Sequence, residues 1–282
     1  MPLTDLLLTP LSYPFMQHAL IGAVAVSSVC AVLSCFVVLK GWSLMGDAIG
    51  HGVFLGVVVA SFFGLPLALG AFLAGMFCAI SVGFLKENTR IKEDTLMGIV
   101  FSGMFALGLV AFTKMQTGEH LKHILFGNLL GIARPMLWQT LAISGAVLAV
   151  VLLKYKDLLL YAFDPCQARI AGLSVRVLHY GLLVLLSATI VVAMQAVGVI
   201  LVVAMLISPG ITAFLLTKRF STMLVLAMIS SVVSSVAGVF LSFYLDSATG
   251  ATIVLCQAVL FGLALAFNKV RKLIHKTPQC SI

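Results

Sequence analysis

The sequence predicts an all-α polytopic membrane protein with eight to nine transmembrane helices. Hydrophobic residues make up 62% of the 282 and charged residues only 9%, against about 25% charged in a soluble domain. The mean hydropathy is +1.19. The few charges fall in short clusters between apolar runs, each near the roughly 20 residues a helix needs to cross a bilayer. A net charge of +8 would suggest nucleic acid in a soluble protein. Here the Lys and Arg residues flank apolar runs, as in cytoplasmic membrane-flanking loops, so no nucleic-acid partner is expected. The loops are too short to hold a soluble catalytic domain, and no enzyme activity is expected. None of the six cysteines forms a CxxC pair, and most sit in apolar runs, as small core residues rather than a disulfide framework or zinc site. The N-terminus has no basic segment or cleavage site of a signal peptide. No linker or internal repeat divides the chain, which reads as one domain over 1–282.

The spans follow in order. The first runs from about Phe15 to Leu39 and ends at Lys40. The second, Leu44 to Phe63, stops at Gly64-Leu65-Pro66, where the third begins, Leu67 to Leu85. Residues 86–94 form a polar loop. The fourth covers Leu96 to Phe112. Residues 113–134 are too polar to span, although Leu121 to Ile132 reads as an interfacial helix or re-entrant turn. The fifth is Met136 to Leu153. A polar stretch, Lys154 to Arg176, contains the helix-start signal Asp164-Pro165, a short helix over about Gln167 to Leu173, and Gly172 near its end. Val177 to Thr217 is long enough for two spans, with a break between Gln195 and Gly198; Ser208-Pro209-Gly210 is expected to interrupt the second. Met223 to Leu245 and Thr252 to Phe267 complete the set, joined by Asp246 to Gly250. Basic clusters at 86–92, 154–176, 218–219 and 269–276 should face the cytoplasm, which puts the C-terminus inside. Placing Lys40 inside as well gives nine spans, and merging one pair of runs gives eight.

The chemistry concentrates in the second span. Asp47 and His51 lie four residues apart, on one helical face, in a segment that is otherwise apolar. Ionisable groups within a membrane are costly and usually mark an ion or substrate path. A carboxylate oxygen with an imidazole nitrogen suits a divalent first-row metal. Gly46 and Gly50 on one side, and Gly52 and Gly56 on the other, would let neighbouring helices approach closely. The bland alternative is a pair that merely satisfies polar groups of a neighbouring helix. Two ligands are too few to hold a metal tightly, but transport needs only transient binding, and two copies about a dimer axis would supply four. His120 and His123, in an outer loop, are weaker candidates for metal capture at the entrance; a solvated loop histidine is commoner. The chain has no Gly-x-x-x-x-Gly-Lys-Ser/Thr phosphate loop. A single clearly intramembrane acid argues against a proton relay, so uphill transport would draw on a separate ATPase. The Asp157 to Arg176 segment, the longest on that side, could dock into such a partner or simply lie on the membrane surface.

Met45-Gly46-Asp47-Ala48-Ile49-Gly50-His51 resembles the signature of the metal-specific ABC importer permeases that serve manganese, iron and zinc uptake in bacteria. So do Val38 to Asp47, Asp94 to Ser102, His123 to Gly127, Ala196 to Leu201, Ser208-Pro209-Gly210, and Asp164-Pro165 with Ala171-Gly172-Leu173. The resemblance covers essentially the whole chain and is strongest to the manganese/iron branch of Gram-negative bacteria. It implies a permease of the bacterial inner membrane that pairs with an identical or related permease subunit, a periplasmic metal-binding protein and a cytoplasmic ABC ATPase. It places a coupling helix at Asp164, Pro165, Ala171, Gly172 and Leu173, and Asp47 and His51 along the metal path. No permanently bound cofactor is implied, only transported Mn²⁺ or Fe²⁺, or Zn²⁺. Gly50 and Leu55 stand where the family signature has Ser and Pro; neither change removes a ligand. Alternatives are a zinc importer of the same architecture, a gradient-driven carrier working alone, and a non-transporting scaffold.

Overall fold

The computed structural model describes residues 10, 12–42, 44–114 and 131–274. His120 and His123 lie outside the described residues, as does most of the 121–132 piece. Among the described residues eleven helices follow one another: α1 Pro14–Lys40, α2 Met45–Phe63, α3 Leu67–Asn88, α4 Glu93–Thr113, α5 Arg134–Leu153, α6 Tyr155–Phe163, α7 Pro165–Ile170, α8 Val175–Val197, α9 Val199–Leu216, α10 Phe220–Leu245 and α11 Thr249–Ile274. Eight of these described helices are long and apolar enough to cross a membrane, and α9 is a shorter apolar helix. The outer surface of the bundle is itself apolar. Phe62, Leu73, Phe77, Phe84, Leu107 and Trp138 all stand exposed, a band that suits hydrocarbon and not water.

The polypeptide boundaries have local causes. α1 ends at Gly41, whose φ of 71° is the left-handed C-cap that glycine adopts without a Cβ penalty. Gly64 ends α2 in the same way at φ 67°. Gly198, at φ 92°, separates α8 from α9, inside the segment where a break is expected. The expected interruption at Ser208-Pro209-Gly210 does not occur: Pro209 lies inside α9, which continues to Leu216. Pro209 removes one donor and its ring crowds the preceding turn. In that turn Ser34 Oγ of α1 accepts from the Gly210 N–H at 2.8 Å and donates to the Ile207 carbonyl at 3.2 Å. A neighbouring helix therefore satisfies the disturbed backbone, as proline in a membrane helix requires.

α1 is the most buried of the spans and packs against α9, α10 and α5. Small and hydroxylated residues bring the other helices together. Ser231 of α10 donates to the Ser27 carbonyl of α1 at 3.0 Å. Thr252 of α11 donates to the Gly238 carbonyl of α10 at 3.0 Å. Gly250 of α11 lies against Val197 and Leu201, so the α8–α9 and α10–α11 turns sit at one end of the bundle.

At the opposite end, two cavities share the terminus of α1. One, of about 810 Å³, is lined by Lys40, Lys86, Arg169 and Arg176. The other, of about 850 Å³, is lined by Leu39, Lys218, Arg219 and Arg271. Residues distant in sequence thus bring their positive charges to a single end. The 154–176 stretch is more structured than its polarity suggests. α6 buries Leu158, Tyr161 and Ala162. α7 opens at Asp164, whose Oδ1 accepts from the N–H groups of Cys166 at 2.8 Å and Gln167 at 3.0 Å, an N-cap. Gly172, at φ 80°, follows its end, and the short helix covers Pro165–Ile170, starting two residues earlier than expected.

Candidate functional site

α2 carries Asp47 in its first turn. α2 and α3 form an antiparallel hairpin, and α4 runs parallel to α2 on its other flank. Contacts of Gly52 with Cys78 and of Gly56 with Gly70 and Ala74 set the first register, and those of Gly108 with Phe54 and Leu55 set the second. The glycine rows beside the Asp/His face are both covered. Gly52 and Gly56 meet α3, whereas Gly46 faces Leu206 of α9. The stripe between them, through Leu44, Asp47, His51, Leu55 and Val59, is only partly covered.

On that stripe His51 Nε2 lies 3.2 Å from Asp47 Oδ1, and the two side chains keep about 30% of their accessible surface. Phe101 of α4 stacks on the imidazole at 5.4 Å between ring centroids and Phe105 approaches it edge-on at 5.0 Å. The ring is thereby held with Nε2 toward the carboxylate. His51 Nδ1 is buried without a hydrogen-bond partner among the described residues. An Asp–His pair at this distance needs a proton on Nε2, whereas a metal needs the Nε2 lone pair. With Nδ1 unengaged, the neutral ring can carry its proton there and turn the Nε2 lone pair to an incoming cation.

The depth of the pair follows from its neighbours. In sequence Asp47 is within two turns of Lys40, close to the basic end. In space Gly46 is level with Leu206, which lies two to three turns inside α9 from Leu216, about 15 Å along the axis. His51 is level with Phe101 and Phe105, about 12–18 Å into α4 from Glu93. In α3, the register set by Gly52 with Cys78 and Gly56 with Ala74 puts Asp47 level with Gly83, about one turn from Lys86. Trp42, just before α2, is only 3% exposed.

Among the described residues, no group of three or more His, Cys, Asp or Glu side chains could hold a metal ion. Among the described residues, Asp47 and His51 thus present a two-donor face. The coupling candidates Asp164, Pro165, Ala171 and Gly172 are exposed and Leu173 is half-buried. Ile170 between them is 86% exposed, an apolar tip on a segment at the basic end. His179, which the sequence marks only as an interfacial histidine, hydrogen-bonds through Nδ1 to the Tyr161 hydroxyl at 2.8 Å. No sequence signal links these two residues, because the contact forms between separate helices.

The ABC 3 transport family matches residues 12–268. A Haemophilus influenzae protein named "Probable iron transport system membrane protein" is 61% identical, over 95% of this chain and 98% of its own length. "Manganese transport system membrane protein MntC" of Halalkalibacterium halodurans is 48% identical over 92% of this chain and 89% of its own. Among solved structures, "PsaBC from Streptococcus pneumoniae in complex with Fab" superposes with a TM-score of 0.84 at 37% identity, covering 93% of this chain and 95% of that one.

Proposed function

The chain belongs to the ABC 3 transport family and is a membrane permease; from that premise we propose that it carries Mn²⁺, and also Fe²⁺, across the bacterial inner membrane as the permease subunit of an importer. The observation that carries this reading is the Asp47–His51 pair, 3.2 Å apart on a half-open face of an apolar helix. One carboxylate and one imidazole from each of two permease subunits make a four-ligand set suited to a first-row dication. Two donors per chain bind weakly enough for the ion to leave. The iron and manganese systems named among the relatives support that cargo.

ATP hydrolysis is assigned to a separate cytoplasmic ATPase. The apolar tip at Ile170 and the capped helix α7 are the surface offered to it. A periplasmic binding protein delivers the ion at the other end. The gathering of Lys40, Lys86, Arg169, Arg176, Lys218, Arg219 and Arg271 at one end supports a cytoplasmic orientation for that end and for the C-terminus. Alternating access then works as follows: closure of the ATPase pair pushes on α7, and the face of the bundle open to Asp47 and His51 switches.

The test is radiolabelled Mn²⁺ uptake by the assembled importer in vesicles, with unlabelled Fe²⁺ and Zn²⁺ as competitors. Asp47→Ala and His51→Ala should each lower uptake at least about tenfold, the loss of a charge-assisted ligand contact, while the subunits still assemble. Unchanged uptake in both variants would overturn the assignment.

A further inference from the structure

Four elements meet around one partly buried contact at the basic end. Tyr161 of α6 is 3% exposed, and its hydroxyl is 2.8 Å from His179 Nδ1 of α8. Lys40, the last residue of α1, donates to the Tyr161 carbonyl at 3.1 Å and lies 3.8 Å above the Tyr161 ring, a cation–π contact. The Trp42 indole meets the His179 ring edge-on at 5.2 Å. On the far side Gly83 of α3 comes close enough that a Cβ there would lie 3.6 Å from His179 Nε2.

The positions of these groups matter more than their number. Tyr161 is three residues before Asp164, the cap of α7. Trp42 sits in the link that leads into α2, five residues before Asp47. α1 and α2 hardly touch beyond that link, so α1 does not hold the start of α2 in place directly. Gly83 belongs to α3, the helix on which α2 is packed as a hairpin. His179 therefore meets the link into the Asp47-bearing hairpin at Trp42, the hairpin itself beside Gly83, and the α6–α7 segment at Tyr161.

We propose that Tyr161 and His179 are positioning residues that tie the segment meeting the ATPase to the hairpin carrying Asp47 and His51, so that displacement of α7 is passed to the metal path. The inference rests on the permease reading above. A push on α7 moves Asp164 and, through the rigid turn of α6, Tyr161. The hydrogen bond carries that shift to His179. His179 meets the Trp42 indole and lies beside Gly83 on the wall of the cavity of about 810 Å³, so these direct contacts carry its shift to the basic end of the hairpin.

The experiment uses the complete importer, permease with ATPase and binding protein, reconstituted in vesicles. It reads Mn²⁺ taken up per ATP hydrolysed. Tyr161→Phe keeps the ring and the Lys40 contact and deletes only the hydroxyl; His179→Leu deletes the partner; His179→Gln keeps a hydrogen-bonding group. Tyr161→Phe and His179→Leu should each lower the ratio by at least about fivefold, the lower range of an allosteric coupling. The double variant should be no worse than the worse single one, as for two members of one contact. His179→Gln should restore most of the ratio. A ratio equal to that of the unaltered importer in Tyr161→Phe would overturn the proposal. So would a parallel fall of uptake and hydrolysis, which leaves the ratio unchanged and marks a contact that only supports the fold. Either result leaves the Asp47 and His51 uptake test standing, because that test reads ion passage and not its coupling to ATP.

Discussion

At Ser34, one hydroxyl serves two backbone groups beside Pro209, accepting from Gly210 and donating to Ile207. The site is fully buried, so water cannot replace the lost partner. Ser34→Ala should therefore cost about 1–3 kcal/mol, the price of unsatisfied buried groups, and lower the thermal unfolding temperature of the detergent-purified protein. Gly210→Ala should be worse, because its Cβ would collide with Ser34 Oγ and the Ser34 carbonyl. An unchanged unfolding temperature in Ser34→Ala would show that the helix tolerates Pro209 without help. His51 is the other residue whose setting counts. Two phenylalanines fix its ring, and one nitrogen faces Asp47 while the other has no partner among the described residues. The Asp/His spacing is plain in the sequence; the phenylalanine clamp is not, since Phe101 and Phe105 belong to a helix two elements later.

At the scale of elements, the α2–α3 hairpin sets the orientation of the Asp/His face. It packs without room for side chains at its crossing: a Cβ on Gly56 would overlap the Gly70 carbonyl and meet Ala74. Gly56→Ala should splay the pair and destabilise the protein by about 1–3 kcal/mol, as overpacking does. Gly145→Ala, on α5 with open space around it, should be neutral or stabilising by up to about 1 kcal/mol, since alanine favours helix over glycine. Thermal unfolding of the two variants side by side checks the contrast. Equal effects would mean that the hairpin crossing is not the tight contact described here. The spacing of the glycines alone points to close packing on both sides of the pair, as observed. It does not say that one row meets α3 and the other α9, because periodicity describes a helix face and not its partner.

At the scale of the molecule, Lys40, Lys86, Arg169, Arg176, Lys218, Arg219 and Arg271 gather at one end, whereas Lys114 and Arg134, at the end of α4 and the start of α5, lie at the other. Single cysteines placed at Lys86, Arg169 and Lys218 should react with a membrane-impermeant thiol reagent only from the cytoplasmic side. Cysteines at Leu65 or Asp246, in the turns away from the basic end, should react from the periplasmic side. Reaction of Lys86→Cys and Leu65→Cys from the same side would break the nine-crossing arrangement. The native Cys166, exposed on α7, should be replaced beforehand to keep the background low. Lys40 settles with this sorting. Its contact with Tyr161 places it among the other basic residues, so the end of α1 lies on their side.

The sequence by itself determined that the chain is a helical membrane bundle, where most spans begin and end, and which two side chains are proposed to line the metal path. Those properties are local: apolar run length, glycine and proline punctuation, and the four-residue step of a helix. Tertiary structure decided the phenylalanine clamp on His51, the fate of Pro209 and the meeting of Tyr161 with His179. Each depends on the level at which one helix packs against another. In so apolar a chain nearly every helix face can be buried, so the pattern of hydrophobic residues leaves the pairing open, and shape and a few polar contacts select it.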